Sequence, residues 1–271
     1  MLNIRGELFS LEKPVVMAIL NVTPDSFFDG GKYLSDYEIL TQTQKFLEEG
    51  ASIIDVGGCS TKPGSFPPST AEEVDRIKLA INAISREFPG VIISIDTYRS
   101  EVAKIAHDCG ASIINDISGG SMDNKMFETA SLLKMPYILM HIKGSPADMQ
   151  IKPQYENCTA EVVYYFSEKV SKLKEIGVKD IIIDPGFGFG KTLEHNFELL
   201  QNLDFISALG YTVLVGVSRK SMISKTLNIK AEDSLNGTTV LNTIALQKGA
   251  KILRVHDVWA AKQAIDLVGK L

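Results

Sequence analysis

Ala71–Glu87, then Pro89, then Val91-Ile92-Ile93-Ser94-Ile95 closed by Asp96, is the stretch whose reading decides the fold. The first part is an amphipathic helix with Ser69 and Thr70 ahead of Glu72 and Glu73 as its N-cap region, and Pro89 follows its end. The second part is a short, nearly continuous apolar run. Such a run marks a strand covered on both faces, as in a parallel sheet. Working outward, the same kind of run recurs at Val15–Leu20, Ser52–Val56, Ser112–Ile117, Pro136–Met140, Asp180–Ile183, Thr212–Val217 and Lys251–Val255. Between them lie helical segments: Asp36–Glu49 stops at Gly50, Glu161–Ile176 at Gly177 and Phe197–Leu209 at Gly210. Strict alternation predicts a parallel α/β sheet. Eight strands in 271 residues favour closure into a (β/α)₈ barrel, one domain over residues 1–271. The polar lead Asn3–Phe9 reads as a hairpin closing the barrel floor.

Composition narrows the function. The chain is 45% apolar and 23% charged with a net charge of −5, which argues against a broad nucleic-acid surface. No apolar run approaches the ~20 residues of a membrane span, and the N-terminus lacks an apolar leader. Three widely spaced cysteines, Cys59, Cys109 and Cys158, form neither a disulfide framework nor a zinc pattern, so a soluble protein of the reducing cytoplasm is expected.

In such a barrel the C-terminal strand ends face the site. Those ends are Asn21, Asp55, Asp96, Asn115, His141, Asp184, Ser218 with Arg219 and Lys220, and Arg254 with His256. One polar residue there is as readily a solvated loop or helix cap, but a full ring of them is not. Buried unpaired polar groups cost several kcal/mol, so the ring wants a ligand, a metal or mutual pairing. Acceptors gather on strands three, four and six (Asp96, Asn115, Asp184), suited to a flat heterocycle with N–H donors. Cations gather on strands seven and eight (Arg219, Lys220, Arg254, His256), where barrels often bind phosphate.

Gly186-Phe187-Gly188-Phe189-Gly190-Lys191-Thr192 is a false lead toward nucleotides. A phosphate-cradling loop needs glycine at Pro185, and a dinucleotide fingerprint needs glycine at Lys191. The loop instead lets backbone and Phe189 approach a ligand, with Lys191 near the next helix.

Specific segments resemble the dihydropteroate synthases. They are Asn21-Val22-Thr23-Pro24-Asp25-Ser26-Phe27-Phe28-Asp29-Gly30-Gly31, Asp55-Val56-Gly57-Gly58 with Ser60-Thr61-Lys62-Pro63-Gly64, Ser94-Ile95-Asp96-Thr97, Asn115-Asp116-Ile117-Ser118-Gly119-Gly120, Met140-His141, Asp184 through Lys191, Ser218-Arg219-Lys220-Ser221, and Arg254-Val255-His256-Asp257. The resemblance runs in order along the chain. It implies a transferase of folate biosynthesis joining 4-aminobenzoate to a dihydropterin with a hydroxymethyl diphosphate, with Mg²⁺, releasing diphosphate and 7,8-dihydropteroate. It further implies a homodimer and sulfonamide competition with 4-aminobenzoate. Two positions depart from the family pattern: Cys59 stands where Glu is common, and Lys62 where Arg is usual.

By resemblance, Asp96, Asn115, Asp184 and Lys220 hold the pterin, Thr61, Arg254 and His256 take the diphosphate, and Asn21 ligates the metal. Thr61, Pro63, Phe189 and Ser218 line the 4-aminobenzoate site, and Asp96, Lys220, Arg254 and His256 form the catalytic set. No side-chain nucleophile is required, because the pterin's exocyclic carbon can carry positive charge as diphosphate departs. Bland readings cover the remainder. His107 is solvated, His195 caps or packs its helix, His141 supports the site indirectly, Asp55 orders the following loop or bonds near Asn21, and Trp259 packs a helix. Rival readings are a pterin-dependent methyltransferase, which has no need of Arg254, His256 and the Ser-Arg-Lys run, and a non-catalytic pterin-binding paralogue.

Overall fold

The computed structural model describes residues 1–23, 36–59, 67–145, 149 and 151–271. An antiparallel hairpin, β1 (Leu2–Ile4) and β2 (Glu7–Phe9), precedes eight parallel strands that close into a barrel. These are β3 (Val15–Asn21), β4 (Ile53–Gly57), β5 (Ile92–Asp96), β6 (Ile113–Asp116), β7 (Tyr137–Met140), β8 (Ile181–Asp184), β9 (Thr212–Val215) and β10 (Ile252–Val255), with β10 pairing back to β3. The expected (β/α)₈ barrel is the observed one.

The helices around it are α1 (Asp36–Glu48), α2 (Thr70–Glu87), α3 (Ser100–Cys109), α4 (Met126–Leu133), α5 (Cys158–Glu175), α6 (Leu193–Gln201), α7 (Leu203–Ser207), α8 (Ser221–Leu227), α9 (Leu235–Gln247) and α10 (Val258–Val268). Helix α2 starts as its sequence suggests. Ser69 caps it, accepting from Glu72 N–H while Glu72 reaches back to the cap backbone. Its apolar stripe, Ile77, Ile81 and Ile84, is fully buried. Residues such as Ile54, Val56, Ile93 and Ile95, pointing out of the barrel, complete that core layer. Burying each such side chain contributes about 1.5–3 kcal/mol.

Two expectations are corrected. The single helix expected over Phe197–Leu209 is two helices, parted at Asn202, whose amide Nδ2 bonds back to Glu198 O at 3.0 Å. Trp259 does not pack a core, since it lies 58% exposed on α10. The hairpin behaves as expected: Leu2 and Ile4 join Leu11 and the barrel-interior residues Met17, Ile53, Ile113, Ile138, Ile182, Leu214 and Ile252 in one apolar plug.

Candidate active site

That plug is the floor of the site, and the strand period of two builds what stands on it. Two residues beyond each apolar floor position come Asp55 after Ile53, Ser94 after Ile92, Asn115 after Ile113, Asp184 after Ile182, Gly216 after Leu214 and Arg254 after Ile252. A further step of two reaches Asn21, Gly57 and Asp96. Parallel register sets Asn21, Gly57, Asp96 and Asn115 side by side on four successive strands. Glycine matters at position 57. A Cβ there would stand 3.3 Å from Asn21 Oδ1 and 3.6 Å from Asp96 Oδ2, so both polar groups close over a position without a side chain.

Arg254 lies within this wall rather than at its rim. Its Nε donates to Asp55 Oδ2 and its Nη2 to Asp96 Oδ2, both at 2.7 Å. Asn115 Nδ2 also donates to Asp55 Oδ2, at 3.0 Å. Asp55 is fully buried, and its Oδ1 makes no hydrogen bond, nor does Ser94 Oγ beside it on β5. Burial pushes the Asp96 carboxyl up, with Arg254 pulling it back and Asp55 adding to the rise. Asp55, expected to order the following loop or to bond near Asn21, instead anchors Arg254 and Asn115. Asn115 thereby has its amide nitrogen engaged and its carbonyl left for a ligand.

Across the cup, Asp184 Oδ1 accepts from Gly186 N–H at 2.7 Å, and no other hydrogen bond reaches this buried carboxylate among the described residues. Burial raises its pKa, while Lys220 and the Gly186 N–H oppose that. Lys220 donates to Phe187 O, and its ammonium lies 4.7 Å from the centre of the Phe189 ring. Burial lowers its pKa and Asp184 works against the change. An acceptor, a cationic hydrogen-bond donor and an aromatic face thus stand together.

Ser218 and His256 form a pair. Ser218 Oγ lies 3.1 Å from His256 Nδ1 and accepts from His256 N–H at 3.2 Å. Desolvation and the neighbouring Arg254 lower the pKa of this imidazole, although the residue as a whole remains exposed to solvent. Beside Arg254 it keeps its expected place in the cationic group with Arg219, Lys220 and Arg254, and an incoming anion would favour its charged form. Arg219 leaves that set. Its Nε and Nη2 fork onto Asp257 at 2.8 Å each, and Nη1 bonds Glu232 O, which ties the β9 loop to the start of α10.

A family profile described as pterin binding enzyme matches residues 17–256. The dihydropteroate synthase of Haemophilus influenzae is 41% identical over 264 residues, 97% of this chain and 95% of that protein. The chain belongs to the dihydropteroate synthase family. A Yersinia pestis dihydropteroate synthase solved with a sulfonamide drug superposes with a TM-score of 0.94 at 37% identity, covering 99% of this chain and 98% of that one. The Xanthomonas albilineans dihydropteroate synthase solved with 4-aminobenzoic acid gives 0.92 at 34% identity, over 99% and 97%. No helix among the described residues is long and apolar enough to cross a membrane.

Of the residues singled out for this family's chemistry, Asn21, Asp96, Asn115, Asp184, Phe189, Ser218, Lys220, Arg254 and His256 are placed by β3, β5, β6, β8, β10 and the loops after β8, β9 and β10. Thr61 and Pro63 lie outside the described residues, as does Lys62. Cys59 is buried, and burial with Glu73 nearby pushes its thiol up to about 11, the behaviour of a packed residue. His195 completes a capping box with Thr192, as its position implied.

His141 supports the site from behind. It is buried, stacks edge-on to Tyr165 with ring centres 4.8 Å apart, and its Nδ1 meets Lys191 Nζ at 2.9 Å. Burial and that ammonium push its pKa down to about 2. The folded chain therefore refuses a proton that the unfolded chain accepts near pH 6.5, and stability falls as pH drops through that window. Each pH unit between about 6 and 4 is expected to lower the wild type by about 1.4 kcal/mol relative to His141→Gln. Urea unfolding of both proteins across that range measures the difference in slope; parallel curves would mean that His141 is not held neutral.

Proposed function

We infer that this chain transfers the pterinylmethyl group of (7,8-dihydropterin-6-yl)methyl diphosphate to 4-aminobenzoate, forming 7,8-dihydropteroate and diphosphate. The observation that carries the reading is the buried Asp184 carboxylate with one hydrogen bond, facing the same cup as the Asn115 carbonyl. An anionic acceptor so placed wants a planar partner with adjacent N–H donors, which is the edge a pterin offers. Lys220 donates to the ring's acceptor side. Phe189 gives 4-aminobenzoate an apolar face, with Ser218, Thr61 and Pro63 completing its site. The Xanthomonas relative, solved with 4-aminobenzoic acid, supports that compound as the second substrate.

The electron pair of the breaking C–O bond leaves with diphosphate, and the arylamine nitrogen forms the new bond to the exocyclic carbon. Asp96 supports positive charge developing at that carbon. Its own orientation depends on Arg254. His256, with Thr61 and the remaining edge of Arg254, meets the diphosphate, whose charge draws a proton onto the imidazole. No covalent enzyme intermediate is required.

Mg²⁺ takes oxygen ligands and keeps several waters. Among the described residues no group of three or more His, Cys, Asp or Glu side chains could hold a metal. The Asn21 Oδ1 at the cup's edge beside Asp96 fits an ion held by one amide oxygen and by the substrate's diphosphate. Bound there, the ion would supply charge neutralisation for the leaving group.

A homodimer follows from the same family reading. Leu227, Leu235 and Val240 on α8 and α9 expose 53%, 42% and 50% of their surface, an apolar set suited to a second copy. Sedimentation should give twice the chain mass. None of the three cysteines forms a disulfide among the described residues, and a reducing cytoplasm is the proposed location. Sulfonamides are expected to compete with 4-aminobenzoate.

Mixing the protein with the pterin diphosphate, 4-aminobenzoate and Mg²⁺ tests the reading. Diphosphate release that needs all three components, with dihydropteroate as co-product, is expected. Methyl transfer from a folate, or pterin binding without turnover, would overturn it.

A further inference from the structure

Lys191 is a buried lysine that the chemistry above does not use, and burial pulls its pKa down to about 7. Only 3% of it is exposed, and no carboxylate pairs with it among the described residues. Its Nζ meets three acceptors: His141 Nδ1 at 2.9 Å, Gly186 O at 2.9 Å and Phe189 O at 3.1 Å. An ammonium has three N–H donors, so the set is matched one to one. A fourth oxygen, His141 O, lies further off at 3.4 Å. A buried lysine with no carboxylate in direct contact, balanced only at longer range by Asp184, is an expensive way to fill space, which an apolar side chain would do better. What it touches gives the reason for its presence.

The two carbonyls belong to one tight turn. Phe189 N–H closes that turn onto Gly186 O at 3.0 Å, so Gly186 O accepts from both sides. Gly186 N–H in turn orients Asp184 through Oδ1. At the other end the turn presents the Phe189 ring beneath Lys220. The turn has almost no room to shift toward β7. Cβ atoms at Gly186 and Gly190 would fall 2.0 Å from His141 O and 2.1 Å from Lys143 O. On the opposite side Asn196 Oδ1 accepts from Gly188 N–H at 2.6 Å, and Tyr155 OH donates to Gly190 O at 2.8 Å. Lys191 sits inside this frame and holds both of the turn's carbonyls on one ammonium.

We propose that Lys191 is a positioning residue that fixes the Asp184 carboxylate and the Phe189 ring relative to each other through the Gly186–Phe189 turn, so that the pterin and aminobenzoate faces are set by one buried ammonium. This rests on the function inferred above. Without Lys191 both carbonyls lose their donor, the turn relaxes, and two binding faces that share no atoms are displaced together. Loss at one face alone is not what the geometry implies.

The test uses Lys191→Ala and Lys191→Met in the intact chain, with 6-hydroxymethylpterin affinity by calorimetry and steady-state kinetics in 4-aminobenzoate. Both the pterin Kd and the aminobenzoate KM are expected to rise by roughly tenfold or more, as loss of charge-assisted hydrogen bonds implies. n-Propylammonium carries the three carbons and the ammonium that Lys191→Ala lacks. It should restore both constants in that variant and leave the wild type unchanged. Lys191→Met keeps the volume filled should the smaller side chain prevent folding. A folded variant with wild-type affinity for both ligands overturns the proposal, and so does a loss confined to kcat. A wild-type protein that fails to bind the pterin speaks instead against the functional reading.

Discussion

Replacing Arg254 with methionine is expected to remove about 3–5 kcal/mol of stability and to abolish dihydropteroate formation. Arg254 is the counter-charge for two carboxylates. Asp55, fully buried, has only Arg254 Nε and Asn115 Nδ2 on its Oδ2, and nothing on Oδ1. Asp96 takes Arg254 Nη2. Taking the guanidinium away leaves two anions in a wall whose floor is apolar, and removing one partner of a buried pair is far more damaging than replacing the whole pair. Arg254→Lys should fall between, since a single ammonium keeps the charge but has no rigid fork to span both carboxylates. Urea unfolding of the three proteins measures the order. A methionine variant within about 1 kcal/mol of wild type would mean that the Asp55–Arg254–Asp96 bridge contributes no more than an exposed ion pair.

Asp184→Asn is expected to weaken pterin binding by at least about 2 kcal/mol, close to thirtyfold, with the fold intact. The substitution keeps the shape and keeps an oxygen for Gly186 N–H. What it changes is the other atom, which becomes a donor pointing at the pterin's own donors. It also removes the negative charge that Lys220, Lys191 and Arg254 share. Titration calorimetry with 6-hydroxymethylpterin gives the number. Unchanged affinity would remove Asp184 from the pterin site.

The barrel was legible because its strands are covered on both faces and announce themselves as apolar runs, as Val91–Ile95 does. The rim was legible for a related reason: a polar residue at the end of such a run has nowhere to point except the cup. Depth was not legible. Asp55 and Arg254 fall within β4 and β10, one layer below Asn21 and Asp96, and only strand register shows that they meet. Pairing was hidden as well. Arg219 looks as available as Lys220 in sequence, yet its fork is closed by Asp257, 38 positions away. His256 reads as a cation, and only the fold shows Arg254 beside it, which disfavours its charged form. Lys191 looked like a helix-side lysine because nothing in a linear chain reveals three acceptors converging on one ammonium.

These findings concentrate the positive charge facing diphosphate less than residue types suggest. Arg254 is partly neutralised by Asp55 and Asp96, and Arg219 is occupied by Asp257. On the proposed reading the leaving group would favour the charged form of His256, and a Mg²⁺ beside Asn21 would add to the neutralisation. The acceptor side, by contrast, is ready-made: Asp184 and Asn115 are fixed by backbone and by Asp55.

A crystal structure with 6-hydroxymethylpterin diphosphate bound tests this division most directly. The bicyclic ring is expected against Asp184, Asn115 and Lys220, with the diphosphate reaching toward His256, Arg254 and Asn21. A ring lodged elsewhere, or a reversed molecule with its phosphates against Asp184, would contradict the account.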